Sequence, residues 1–252
     1  MSQPTLVIGN WKMKLSLAES VALAQKIKNF SRSGVRIAVC PSFTAIEPVS
    51  KILRGSAVGL GAQDMFWEGS GAFTGEVSPT QLKELGCGYV LIGHSERRQH
   101  LGETDALAKR KIKAAFTHGL TPVLCVGENL EQRQDGRHEH FVITQLQACL
   151  EGVNLEPEQE LVIAYEPVWA IGTGQAISAE DVGEMQQVIR HTLLDIFSVG
   201  ELRTQVALIY GGSVTGQNVA SFTQLEGING VLPGTASWTA ESFSEIIKNA
   251  AV

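Results

Sequence analysis

The stretch Leu161-Val-Ile-Ala-Tyr-Glu-Pro-Val-Trp-Ala-Ile-Gly-Thr-Gly174 sets the reading of the whole chain. Five apolar residues run without polar alternation and stop at one glutamate, Glu166. A strand with one wet face alternates; a strand that is apolar on both faces belongs in a parallel sheet covered by helices. Seven other short runs are mostly apolar with little polar alternation: Thr5–Gly9, Val35–Cys40, Ala57–Ala62, Tyr89–Ile92, Thr121–Val126, Val206–Tyr210 and Ile228–Leu232.

Helical signals fall between them. Ser16/Glu19, Thr44/Glu47, Ser78/Gln81 and Ser178/Asp181 have the spacing of a capping box, in which a side-chain oxygen satisfies a free N–H of the first turn. Pro79 falls at the first helical position, where a missing N–H costs nothing. After Ser178, Val182, Met185, Ile189 and Ile196 recur at helical spacing. Eight strands alternating with helices over 252 residues predict a closed (β/α)8 barrel, eight parallel strands surrounded by helices, in one domain spanning residues 1–252. The rival is an open doubly wound sheet. It would want G-x-G-x-x-G after its first strand, and this chain has Gly9-Asn-Trp-Lys-Met-Lys14.

The net charge of −6 speaks against nucleic acid or an anionic membrane as partner. No apolar run approaches the roughly 20 residues of a membrane span. Met1-Ser-Gln-Pro-Thr5 has no basic residue and Leu6-Val-Ile8 is too short for a signal peptide. Cys40, Cys87, Cys125 and Cys149 match no CxxC or zinc spacing and read as buried thiols. A reducing, cytoplasmic setting is expected. No cofactor and no metal are expected, since the six histidines form no ligand motif.

Barrels carry their chemistry at the C-terminal ends of the strands. The polar residues there are Asn10 and Lys12 after the first strand, His94, Ser95 and Glu96 after the fourth, and Glu166 after the sixth. Gly211-Gly212-Ser213 follows the seventh, and Gly234-Thr235 the eighth. Each has an ordinary alternative: a solvated lysine, a histidine capping a carbonyl, a rim salt bridge, a plain turn. Glu166 is held extended by Pro167 and has Val168, Trp169 and Ile171 beside it, an apolar setting that suits a base. Glycine turns after strands seven and eight sit where barrels bind phosphate. A base, a polarising group, a cation and an anion cradle suit proton abstraction beside a carbonyl. Two other readings fit the same residues, a barrel aldolase with Lys12 as Schiff base and a non-catalytic phosphate binder.

Six segments carry a resemblance. They are Gly9–Met13 (GNWKM), Gly71–Glu76 (GAFTGE), Ile92–Arg98 (IGHSERR), Thr121–Glu128 (TPVLCVGE), Ala164–Gly174 (AYEPVWAIGTG) and Tyr210–Val214 (YGGSV). In order and from end to end, they resemble the triosephosphate isomerase family. The resemblance implies a TIM barrel that interconverts dihydroxyacetone phosphate and D-glyceraldehyde 3-phosphate through an enediol(ate), without cofactor, in glycolysis and gluconeogenesis. It assigns Glu166 as base, His94 as electrophile and Lys12 as substrate-binding cation. Asn10 lies beside the substrate, and Glu96 supports Lys12. It assigns Gly172, Ser213, Leu232, Gly234 and Thr235 to substrate binding. The family is itself a known instance of a neutral histidine at a helix N-terminus. Pro167–Trp169 and Ala170–Gly174 correspond to the hinge and tip of its lid. Gly71–Glu76 resembles the loop that enters a second subunit, with Thr74 near the neighbour's site, so a homodimer is implied. The chain departs from the family at Thr235, usually glycine, at Pro233, usually β-branched, and at Gln175, often lysine. Pro233 belongs at a strand's end or at an irregularity, because it removes a ladder donor.

Overall fold

The computed structural model describes residues 4–171 and 177–250. Eight parallel strands close on themselves in sequence order. They are β1 (Thr5–Asn10), β2 (Val35–Cys40), β3 (Val58–Ala62), β4 (Tyr89–Ile92), β5 (Thr121–Val126), β6 (Leu161–Tyr165), β7 (Val206–Tyr210) and β8 (Gly230–Val231). Closure is made by β8 against β1, with Leu6 opposite Gly230 and Val7 opposite Val231. Helices follow the strands and cover the outside of the barrel. Among the described residues no helix is long and apolar enough to cross a membrane.

The strands are apolar on both faces because they face two cores. Leu6, Ile8, Ala38, Cys40, Leu91, Val123, Cys125, Val162, Ala164, Ala207, Ile209 and Leu232 fill the lumen. Their neighbours in the chain, such as Val7, Val39, Val90, Leu124, Ile163 and Leu208, point outward into a second core under the helices. Each fully buried aliphatic side chain is worth roughly 1.5–3 kcal/mol. A capped helix end is worth about 1 kcal/mol, so burial sets the fold and caps set the boundaries. All four cysteines are free and buried. Burial pushes the Cys87 and Cys149 thiols up to about 12. It also raises Cys40 and Cys125.

The helix starts follow the caps at three of the four expected places. Ser16 and Ser78 make reciprocal boxes with Glu19 and Gln81. The Ser178 hydroxyl accepts from the Asp181 N–H. At Thr44 the expectation fails: that helix runs Phe43–Leu53 with Ser42 at its N-cap, so Thr44 lies inside the first turn. Glu47 instead pairs with Lys51 one turn on, at 2.6 Å.

Strand eight is shorter than the run Ile228–Leu232 suggests. The Ile228 N–H turns back to the Leu225 carbonyl. Gly230 lies so close to β1 that a Cβ there would sit 1.9 Å from the Leu6 oxygen. Pro233 lies past the strand's end, as its missing donor requires, and its carbonyl accepts the Asn10 N–H at 2.9 Å.

Candidate active site

At the C-terminal end of the barrel lies a cavity of about 500 Å³, lined by Asn10, Lys12, His94, Glu166, Ile171, Gly211 to Thr215, Leu232, Gly234 to Ala236, Thr239 and Ser242. Residues expected after strands one, four, six, seven and eight therefore meet in one space. Gly172 and Gln175 lie outside the described residues, as does most of the expected lid tip. A single 3₁₀ turn, Val168–Ala170, overlaps the expected hinge Pro167–Trp169.

Lys12 has φ of 49°, a left-handed conformation that an L residue seldom adopts. Three side chains hold it there. The Asn10 Oδ1 accepts the Lys12 N–H at 3.0 Å. The Gln63 Nε2 donates to the Lys12 carbonyl at 2.8 Å and to the Cys40 carbonyl at 2.9 Å. At the far end, the ammonium donates to Glu96 Oε1 at 2.5 Å. Asn10 itself is 4% exposed.

His94 is the N-cap of the helix Ser95–Leu101, and its Nδ1 accepts the Glu96 N–H at 3.2 Å. A nitrogen that accepts carries no proton, so a neutral ring has its hydrogen on Nε2. Nε2 lies 3.2 Å from Glu166 Oε1. Gly93 aims the histidine from behind. Its φ is +69°, and a Cβ there would lie 2.7 Å from Arg98 Nη2. Glu103 Oε1 accepts the Gly93 N–H at 3.0 Å, and Arg98 Nε donates to its carbonyl at 2.6 Å.

Glu166 is 2% exposed. Its second oxygen accepts the Ser95 N–H at 3.1 Å, at the positive end of that helix. Burial costs the carboxylate its water, and this N–H replaces part of that solvation. The main chain is fixed from both neighbouring strands: the Glu166 N–H donates to the Val126 carbonyl at 2.7 Å, and the Gly211 N–H to the Tyr165 carbonyl at 2.8 Å. Gly127 stands so near that a Cβ on it would fall 1.7 Å from the Glu166 carbonyl oxygen. Beneath the hinge, the fully buried Glu128 accepts from Trp169 Nε1 at 2.9 Å and from the Tyr165 hydroxyl at 3.1 Å. Burial and the adjacent Glu128 carboxylate push the Tyr165 hydroxyl upward.

Ser213, Leu232, Gly234 and Thr235 all line this one cavity. Thr74 lies exposed in the segment Gly71–Glu76, away from that cavity. Sequence reasoning missed Gln63, Glu103 and the Ser95 N–H. Glu128 stood inside a quoted motif but carried no role. Among the described residues, no group of three or more His, Cys, Asp or Glu is arranged to hold a metal ion.

Fold and cavity together define a (β/α)8-barrel enzyme with its polar groups gathered at the C-terminal mouth. The sequence comparisons narrow this. A family model described as triosephosphate isomerase matches residues 5–250. A triosephosphate isomerase of Carboxydothermus hydrogenoformans is 46% identical over 96% of this chain and 97% of its own. Those of Thermoanaerobacter pseudethanolicus and Dictyoglomus thermophilum are each 42% identical, over 96% and 97% of this chain and 98% of their own. The chain belongs to the triosephosphate isomerase family.

Proposed function

We propose that the protein interconverts dihydroxyacetone phosphate and D-glyceraldehyde 3-phosphate, an aldose–ketose isomerisation of glycolysis and gluconeogenesis, without a cofactor. The observation that carries the reading is a buried carboxylate 3.2 Å from a histidine Nε2 in a cavity that also receives Lys12. Glu166 takes a proton from C1 of the ketose. The electron pair moves to the C1–C2 bond, and the carbonyl π electrons move onto O2. The His94 Nε2–H faces that oxygen, polarises the carbonyl and moves protons between O2 and O1. Glu166 then returns a proton to C2. Lys12, held by Asn10 and Glu96, offsets the negative charge of phosphate and enediolate. Gly172, Ser213, Leu232, Gly234 and Thr235 enclose the substrate, with backbone N–H groups directed to phosphate.

A Schiff-base role for Lys12 fits poorly with its ion pair to Glu96, which occupies the side-chain nitrogen. A pure binding role leaves the paired His94 and Glu166 without a task.

We further infer that the chain works as one domain, as a homodimer and in the cytoplasm. Met13, 96% exposed, and Phe73, 43% exposed beside Thr74, are the kind of apolar surface that a second copy would cover. A monomer by sedimentation at assay concentration would remove the dimer from this reading.

The test is a coupled isomerase assay on the wild type beside Glu166→Gln. General acid–base catalysis is worth about 10²–10⁴-fold. The variant should lose that much kcat while inorganic phosphate still inhibits it. An unchanged kcat would sink the assignment of the base.

A further inference from the structure

The loop after β8 is hydrogen-bonded to the end of β1 at Asn10, and one of those bonds comes from a tryptophan. The Asn10 N–H donates to the Pro233 carbonyl at 2.9 Å. The Asn10 carbonyl accepts the Trp238 Nε1–H at 3.2 Å, and the Ser237 hydroxyl oxygen lies 3.4 Å from the same carbonyl. Both polar groups of one peptide residue are thus bonded to the segment 233–238. The two segments are also in close steric contact: a Cβ on Gly9 would meet the Ser237 Cβ at 2.9 Å, and a Cβ on Gly234 would meet the Lys12 Cε at 3.2 Å. Lys12 therefore lies directly over Gly234. The ammonium of Lys14 stands 5.7 Å from the Trp238 ring centroid, which adds a cation–π contact from the β1 side.

We propose that Trp238 is a positioning residue that locks the phosphate-binding loop to the Asn10–Lys12 segment, so that the loop donors and the lysine meet one phosphate at a fixed spacing. This rests on the reading that Gly234 and Thr235 hold the substrate's phosphate. The physical need follows from the local sequence. Pro233 has no N–H to give to a ladder, and β8 ends at Val231. The Asn10 N–H to the Pro233 carbonyl is the last main-chain bond to β1; among the described residues, the loop main chain from Gly234 to Trp238 donates only within itself. The indole N–H replaces a strand hydrogen bond with a side-chain one and ties the loop to the strand that carries the cation. Ser237 holds the loop internally, its hydroxyl donating to the Gly234 carbonyl at 2.7 Å.

The experiment compares wild type with Trp238→Phe, which keeps an aromatic ring and deletes the donor. The measurements are the competitive inhibition constant of inorganic phosphate, KM and kcat in the isomerase assay, and Tm. Losing one positioning hydrogen bond should raise both the phosphate Ki and KM about 3- to 10-fold. The kcat should stay within about twofold and Tm should barely move. A merely structural role would lower Tm and leave Ki and KM where they were, and that result overturns the proposal. If phosphate does not compete with substrate in the wild type, or Thr235 and Ser213 variants leave Ki unchanged, the phosphate reading fails instead. Should Trp238→Phe not fold, the wild type carries the test in ¹⁵N-tryptophan-labelled form. Saturating phosphate should slow solvent exchange of the Trp238 indole N–H, because coupling between sites is reciprocal. An unmoved exchange rate overturns the proposal.

Discussion

Lys12 combines a left-handed backbone with an ammonium over Gly234, and its conformation is not its own choice. Forcing an L residue to positive φ costs of order 1–3 kcal/mol and persists only where surroundings over-determine it. The Gln63 amide supplies much of that determination by donating to two carbonyls at once. Gln63→Glu keeps the shape and turns donors into acceptors, so a carboxylate would face the Lys12 and Cys40 oxygens. The Cys40 carbonyl keeps the Trp11 N–H, but leaving the Lys12 carbonyl without its donor costs about 1–3 kcal/mol. We expect kcat/KM to fall roughly 5- to 100-fold, and an unchanged value would show that Asn10 and Glu96 suffice. At this scale the sequence was half legible. Asn10, Lys12, His94, Glu96 and Glu166 were readable because each closes a strand in a barrel. Gln63 was not, because nothing in a glutamine's place along the chain says which carbonyls it will meet. The Ser95 N–H was hidden for the same reason: it is a backbone group with no letter of its own.

Elements add constraints that single residues do not show. Glu166 is aimed by the close approach of the segments after β5 and β6, and Gly127 is the point of contact. A Cβ there would fall 1.7 Å from the Glu166 carbonyl oxygen, and a backbone atom cannot swing aside as a flexible side chain can. Gly127→Ala should therefore displace Glu166 from His94. Overpacking costs typically 1–3 kcal/mol in stability, and misplacement by about 1 Å can cost on the order of 10²-fold in rate. An alanine variant with wild-type kcat and Tm would contradict this. Strand positions were legible from apolar runs because every strand faces two cores. β8 was over-read because the run Ile228–Leu232 contains Asn229 and Gly230, and only Gly230–Val231 pair as strand. The false start at Thr44 has a similar cause. Its spacing to Glu47 satisfies the capping pattern, but Ser42 enters the helix first and the glutamate pairs with Lys51.

Across the whole molecule, a buried charge cluster connects the outer layer to the site. Lys111 donates to Asp64 at 2.6 Å and lies 3.1 Å from Glu103, while Arg97 reaches Asp64 at 2.7 Å and Glu103 at 2.6 Å. Glu103 in turn holds Gly93, next to His94. Burial would push Glu103 up, but Lys111 and Arg97 outweigh it and its carboxyl sits below its usual 4.5. At Asp64 burial wins and the carboxyl is raised above its usual 3.8. The signs oppose. The Glu103 contribution is present above pH 4.5 and lost as pH falls through its lower folded value. The Asp64 contribution favours the fold on the acid side and fades as pH climbs from 3.8 through its raised value. Lys111→Met would leave two buried carboxylates sharing Arg97. Breaking a buried pair in this way costs roughly 3–5 kcal/mol. We expect that loss at pH 7 in denaturant titration, and a smaller one near pH 5, where a carboxylate can take a proton. Equal losses at both pH values would assign the effect to packing.

The four thiols turn the two cores into separately addressable clocks. Cys40 and Cys125 face the lumen, whereas Cys87 and Cys149 lie under the helices. A thiol reacts as its anion, and burial withholds that anion from all four. Alkylation at neutral pH should therefore wait for an opening event rather than for the reagent. Time-resolved mass spectrometry of a labelled sample would show which opens first. If helices peel from a barrel that stays closed, the outer pair is modified well ahead of the lumen pair. If the ladder between β8 and β1 parts as the rest loosens, all four acquire label together, and the molecule has a single cooperative seam.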